Sequence, residues 1–312
     1  MSAPGTPFAI LCLDGGGAKG FYTLGILREL EAMLGAPLHQ RFDLISGTST
    51  GSIIASLLAL GASVETIHAL YAEHVVKVVG ARSRAAKTRA LKALAQEVFA
   101  DKSFSDAKTG LAVVATNWRN ERPMIFKSDP GLAHGRKATF APGFGCTIAE
   151  AVVASCSAYP YFERAIVKLG SGETVELIDG GFCANNPTLY AIADGIAARK
   201  LPLSSLRVVS LGVGVYPAPR PWPFSPAWVI KRLMTVQLLQ KTLEINTQSM
   251  EQLRAILFDA APTVRISETF SQPEMATDLF EHDSAKLDML YQRGRESFGR
   301  HEADLKALLN LP

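Results

Sequence analysis

Cysteine is scarce: Cys12, Cys146, Cys156 and Cys183 are spread over 312 residues with no CxxC spacing. That excludes a disulfide-stapled scaffold and a cysteine zinc site, and reads all four as small core hydrophobes in a reducing compartment. An excess of charge of either sign is also missing. The 32 Lys+Arg against 29 Asp+Glu leave a net +3, too small to mark a nucleic-acid-binding surface by composition. No run is suited to crossing a bilayer. The longest uncharged stretch, Leu44 to Val64, has 21 residues, but 46–52 is a continuous small polar block and only Ile53 to Leu60 is apolar. The N-terminal apolar run Phe8 to Leu13 is too short for a signal-peptide core and follows no basic segment, so the expected location is the cytoplasm. Neither a D-x-[DN]-x-[DN]-G calcium loop nor a G-x-x-x-x-G-K-[ST] phosphate loop occurs.

What is present is ordinary globular material, with 48% hydrophobic and 20% charged residues, enough for one large or two modest domains. Phe8 to Leu13 reads as a buried strand entering a glycine turn. A helix should follow from Ala18 to about Leu34, with apolar residues at spacings of three and four and Gly35 to end it. Phe42 to Ile45 gives a second strand, and Ser52 to Leu60 a helix closed by Gly61. Two strand-turn-helix units predict an α/β fold with a central, mostly parallel sheet. Further strands are expected at Leu111 to Thr116, Met124 to Lys127, Val175 to Ile178 and Val208 to Val213. Pro217 to Trp228 carries five prolines between Trp222, Phe224 and Trp228 and reads as a loop. Helical stretches are expected at Ala227 to about Phe258 and Asp283 to Leu309.

Three clusters carry chemistry. Gly47-Thr48-Ser49-Thr50-Gly51 fits G-x-S-x-G directly after a predicted strand and before a predicted helix, where a sharp turn lifts a serine hydroxyl clear of the sheet. Ser49 is the candidate nucleophile, the alternative being an ordinary helix-capping turn. Asp14-Gly15-Gly16-Gly17-Ala18-Lys19-Gly20 is a glycine-rich turn at a helix start that exposes backbone N–H groups to a developing oxyanion. It also matches G-x-G-x-x-G, but the second strand ends in Ser46-Gly47 rather than in the acid a dinucleotide site requires. Asp179-Gly180-Gly181 places a carboxylate at a strand end, usable as a base only within reach of Ser49 and with raised proton affinity. His282 and His301 follow Asp179 in the order of an α/β-hydrolase triad, but neither lies in a strand-end turn, and both read as helix-surface residues.

Taken in order, these clusters resemble the patatin-like phospholipases from about residue 8 to 187, and Ala154-Ser155-Cys156-Ser157-Ala158-Tyr159-Pro160-Tyr161-Phe162 looks like that family's small-residue segment. The resemblance implies a three-layer α/β/α fold and one domain over 1–312, with the catalytic motifs within 8–187 and helical covering segments in 217–312. It implies a serine lipid acyl hydrolase with a Ser49–Asp179 dyad. The oxyanion hole would come from Gly15, Gly16, Gly17 and Thr50, in an elbow framed by Gly47 and Gly51. It implies neither cofactor nor metal. Lys19 stands where many members carry Arg.

A lipid substrate requires contact with a membrane. Trp222, Phe224 and Trp228 suit a headgroup boundary. Lys77, Arg82, Arg84, Lys87, Arg89 and Lys92 lie in a stretch with no acid between Glu73 and Glu97, either a solvated helix face or a site for anionic lipid or a phosphate-bearing regulator, with Lys19 as a further cation. Compact bacterial proteins of this kind resemble antiphage effectors switched on by cyclic oligonucleotides. That resemblance implies a cyclic dinucleotide activator and a homo-oligomer or filament, with Ile230, Leu233, Met234 and Leu238 as assembly candidates.

Overall fold

In β1 (Phe8–Leu13) successive side chains enter different cores: Leu11 and Leu13 join the larger apolar cluster, while Phe8, Ile10 and Cys12 join a second one with Ala191 and Ile192. A strand buried on both faces must be covered on both, and that requirement organises the chain. The computed structural model describes residues 7–134, 139–220 and 226–311, and only the backbone of 227–233. β1 leads through a 3-10 turn (Gly17–Lys19) into α1 (Gly20–Leu34), which Gly35 ends in the left-handed region. β2 (Leu44–Thr48) turns at Ser49 into α2 (Thr50–Leu60), stopped by Gly61 in the same way. Ser63 and Ser83 cap α3 (Val64–Gly80) and α4 (Arg84–Phe99) with their hydroxyls.

β3 (Gly110–Asn117) and β4 (Arg122–Lys127) form a hairpin, and α5 (Ile148–Ser155) starts in a Thr147–Glu150 capping box. There follow β5 (Ala165–Lys168), β6 (Thr174–Asp179), α6 (Gly181–Ala184), α7 (Thr188–Ala193), β7 (Leu206–Leu211), α8 (Ala227–Leu257), β8 (Thr263–Ile266) and α9 (Ser284–Leu308).

Among the described residues eight strands form one sheet in the order β5-β6-β3-β2-β1-β7-β8, with β4 also on β3. The β3-β2-β1-β7-β8 run is parallel; β4, β5 and β6 pair antiparallel at one end. The sheet is mixed, with helices on both sides. The expected elements are all present within a few residues of their bounds. The four-residue β5 and β8 went unanticipated because runs that short carry no period. Trp222 and Phe224 lie outside the described residues. Trp228 falls in the first turn of α8 rather than in the preceding loop.

Candidate active site

The register of β3 brings the two key residues together. β4 occupies one edge of β3 over 112–117, so β2 and β6 must share the other. β2 leaves that edge at Thr48, opposite Val114, and β6 arrives on it from the opposite direction, ending at Asp179 opposite Ala115. Two strands thus end nose to nose on adjacent rungs, and the next residue of β2 is Ser49. Ser49 Oγ donates to Asp179 Oδ2 at 2.6 Å.

Ser49 sits at φ 52, ψ −128, a conformation costly for a side-chain-bearing residue and held only because its surroundings over-determine it. Its N–H donates to Ser155 Oγ at 2.8 Å, and that hydroxyl donates on to Val114 O at 2.5 Å. A Cβ on Gly47 would run into the carbonyl of Gly51, and one on Gly51 into the carbonyls of Leu13 and Asp14. This is why the elbow needs glycine on both flanks.

Asp179 is fixed as firmly. Its N–H donates to Ser157 O at 3.0 Å, its carbonyl accepts from Thr116 Oγ1 at 2.9 Å, and its Oδ1 accepts the Gly181 N–H at 2.7 Å. The carboxyl is 2% exposed, and burial pushes it up to about 6 against the opposing hydrogen bonds from Ser49 and Gly181. A carboxylate of that basicity, in contact with a hydroxyl, can take its proton as the oxygen attacks a carbonyl.

Of the oxyanion candidates, Gly17 and Thr50 are first residues of helical turns, have no intrahelical acceptor for their N–H, and line the cavity beside Ser49. Gly16 also lines it, its N–H bonded to Thr50 Oγ1 at 3.3 Å. Gly15 is corrected: its N–H is already given to Asn185 O at 3.1 Å, which fastens the turn instead of offering a donor. The cavity is a narrow one that runs from Ser49, Asp179 and these amides between α2, α3, α4 and α8. Ile53, Val78, Leu91, Leu94, Leu243 and Phe280 are among its walls, so it is an apolar slot with a polar end.

The basic candidates divide. Arg82, Arg84, Arg89 and Lys92 are exposed, and Lys77 is exposed and paired with Glu73 at 3.2 Å. Lys87 is corrected: it is 3% exposed, its Nζ donates to Val79 O at the end of α3, and it lies 4.8 Å from the centre of the Phe280 ring. Lys19 is corrected likewise. It is 3% exposed, and burial lowers its pKa despite Glu244, Asp278 and Asp14 nearby, so neither lysine is offered to a solvent-borne anion. His282 is exposed against Phe280 O, and His301 on α9 bonds Glu268, so Ser49 has a carboxylate partner and not an imidazole.

Three supporting groups escaped the sequence. Arg265 on β8 holds the carboxylate of Asp14 with both terminal nitrogens, at 2.9 and 2.5 Å, behind the glycine turn. Burial weighs against its charge, but Asp14 outweighs that and raises its pKa. Asn185 Nδ2 bonds Gly15 O and Thr247 Oγ1, while its N–H bonds Asn246 Oδ1, tying the loop after Asp179 to the glycine turn and to α8. Ser155 is the third: the small-residue segment from Ala154 to Phe162 contained it but assigned it no role. For Arg265 the available signal was a lone arginine inside the run Thr263-Val264-Arg265-Ile266, since a charge in a buried strand needs a partner.

An α/β sheet whose strand-to-helix elbow presents a serine to a buried carboxylate, beneath a glycine-rich turn, defines the architecture of a serine hydrolase. The chain belongs to the patatin-like phospholipase family, whose model matches residues 11–192. It is 61% identical over 300 residues to the cUMP-AMP-activated phospholipase of Escherichia coli, covering 96% of this chain and 93% of that one. It is 29% identical over 196 residues to the cGAMP-activated phospholipase of Pseudomonas aeruginosa, covering 59% of this chain and 56% of that one. The solved structure of VipD from Legionella pneumophila aligns with a TM-score of 0.49 at 13% identity, over 99% of this chain and 67% of that one.

Proposed function

We propose that this chain, read as one catalytic domain, hydrolyses ester bonds of membrane phospholipids, and that a cyclic dinucleotide switches it on in antiphage defence. The carrying observation is the 2.6 Å contact between Ser49 Oγ and Asp179 Oδ2 at the polar end of an apolar slot. Ser49 attacks the ester carbonyl as Asp179 takes its proton. The oxyanion is met by the N–H groups of Gly17 and Thr50, and by that of Gly16 when it leaves Thr50 Oγ1. The tetrahedral intermediate collapses, Asp179 returns the proton to the departing alkoxide, and an acyl ester stays on Ser49 until water, deprotonated by Asp179, releases the fatty acid. The slot takes the acyl chain, and no step requires a metal.

Control by a cyclic dinucleotide is supported by the names of the two relatives, and in this reading the chain acts at the inner face of the cell membrane. Mass spectrometry of products from mixed phospholipids, with and without cUMP-AMP and cGAMP, tests both parts. Fatty acid and lysophospholipid should form with wild type and not with Ser49→Ala. Equal rates with and without every nucleotide would remove the control, and no ester cleavage under any condition would remove the activity.

A further inference from the structure

The helices that wall the slot carry, on their other faces, the features that fit a lipid surface. α8 sets Leu239 and Leu243 inward at 8% exposure each, while Met234 and Leu238, neighbours on the opposite face, are 64% and 69% exposed. Ile245, two turns on from Leu238, is 67% exposed. Large apolar side chains repeated at helical spacing and left this bare call for a partner. Across the slot, the corner between α3 and α4 exposes Arg82 and Arg84, with Arg89 and Lys92 further along α4.

The two sides flank one opening. Lys87 of α4 lies 4.8 Å from the Phe280 ring centre, Phe280 is 4.9 Å from the ring of Tyr161, and Tyr161 Oη donates to Thr235 Oγ1 of α8 at 2.7 Å. Phe280 itself lines the slot, so Arg84, one turn before Lys87, with Arg82 at the corner before α4, and Met234 and Leu238 on the α8 side near Thr235 stand on either side of its rim.

Charge decides what the partner is. No acid occurs between Glu73 and Glu97 or between Asp194 and Glu244, while Lys241 is exposed on α8. The acids of the strap between the two sides are engaged locally: Asp278 accepts the N–H of Phe280, and Glu281 accepts those of His282 and Asp283 and pairs with Lys286. Cations around an apolar ridge match an anionic bilayer, where basic side chains meet headgroups and apolar ones enter the acyl boundary.

We propose that the face formed by Arg82 and Arg84 with Met234, Leu238 and Ile245 docks the chain on an anionic lipid surface with the slot opening toward the acyl chains. This rests on the lipid-hydrolase reading of Ser49, and its test is independent of hydrolysis. The full chain carrying Ser49→Ala is sedimented with phosphatidylcholine vesicles, with and without phosphatidylglycerol, in the presence and absence of cUMP-AMP. The parent should bind the phosphatidylglycerol vesicles more tightly. Arg82→Ala with Arg84→Ala should weaken that preference by at least about tenfold, on a scale of roughly fivefold per basic residue near the surface. Leu238→Ser with Ile245→Ser should weaken binding to both vesicle types, and an unchanged melting temperature shows that these exposed substitutions leave the fold intact. The proposal is overturned if the parent binds neither vesicle under any condition or if all variants bind as the parent does. It is equally overturned if the substitutions change the molecular mass in light scattering without changing sedimentation, which would make this face a contact between copies. Cleavage assays on Ser49-intact protein report separately on the activity.

Discussion

Asp179→Asn separates the chemistry of the carboxylate from its cost. Asparagine keeps nearly the same shape and an oxygen for the Gly181 N–H, but it cannot take a proton from Ser49. Turnover of a soluble ester should fall about a hundred- to ten-thousand-fold, the range for losing a positioned general base. In the wild-type chain only the ionised form of Asp179 is competent, and burial holds its pKa at about 6. kcat/KM should then be near its plateau at pH 7 and reduced about tenfold at pH 5, whereas an Asp at the ordinary value would leave that interval flat. The same shift has a stability consequence. A carboxyl whose folded pKa is raised from 3.8 to about 6 contributes stability that is full below about pH 3.8 and is lost as pH rises through about 6. At neutral pH that loss is on the order of 3 kcal/mol, so Asp179→Asn should be far less active yet more stable than wild type at pH 7. It should also lose part of the wild-type gain in stability between pH 7 and 5. Urea unfolding and pH-dependent ester kinetics on both proteins provide the measurement. A variant that keeps its activity, or a wild-type kcat/KM flat to pH 5, refutes the assignment of Asp179 as base.

Other outcomes follow from the surroundings of the site. Arg265→Met leaves the carboxylate of Asp14, 2% exposed, without its guanidinium, and should lower unfolding free energy by about 3–5 kcal/mol in urea titration. Gly17→Ala forces a Cβ onto the carbonyl of Leu279 at a residue with φ 58; it should cut kcat for ester hydrolysis at least about tenfold, with a smaller effect on KM, because the turn moves its amides. Leu91→Trp fills the slot and should raise KM for long-chain esters well above its effect on short ones; equal effects on both would mean the acyl chain lies elsewhere.

Much of this site was legible because its demands are local. A strand that must turn sharply into a helix over a serine needs small residues on both sides, and Gly47-Thr48-Ser49-Thr50-Gly51 records that need in five consecutive letters. The glycine turn after β1 and the Asp-Gly-Gly after β6 are legible for the same reason: each is a backbone constraint satisfied within a few residues. The helices of the N-terminal units were legible from apolar spacing and from Gly35 and Gly61 at their ends.

What the residues alone determined, then, was which groups could do chemistry, namely Ser49, Asp179 and the amides of a glycine turn, and the α/β layering that carries them. Only the tertiary structure decided which groups meet. Asp179 reaches Ser49 because β6 runs antiparallel onto the edge of β3 that β2 has just vacated, a register that joins residues 130 apart in the chain and that no local pattern encodes. The same holds for the groups that left or joined the site: the Gly15 N–H spent on Asn185, Lys87 folded under Phe280, and Arg265 closing on Asp14 from β8. Local sequence sets backbone geometry over a few residues. Partners distant in the chain are set by strand order and packing, and these are properties of the whole fold.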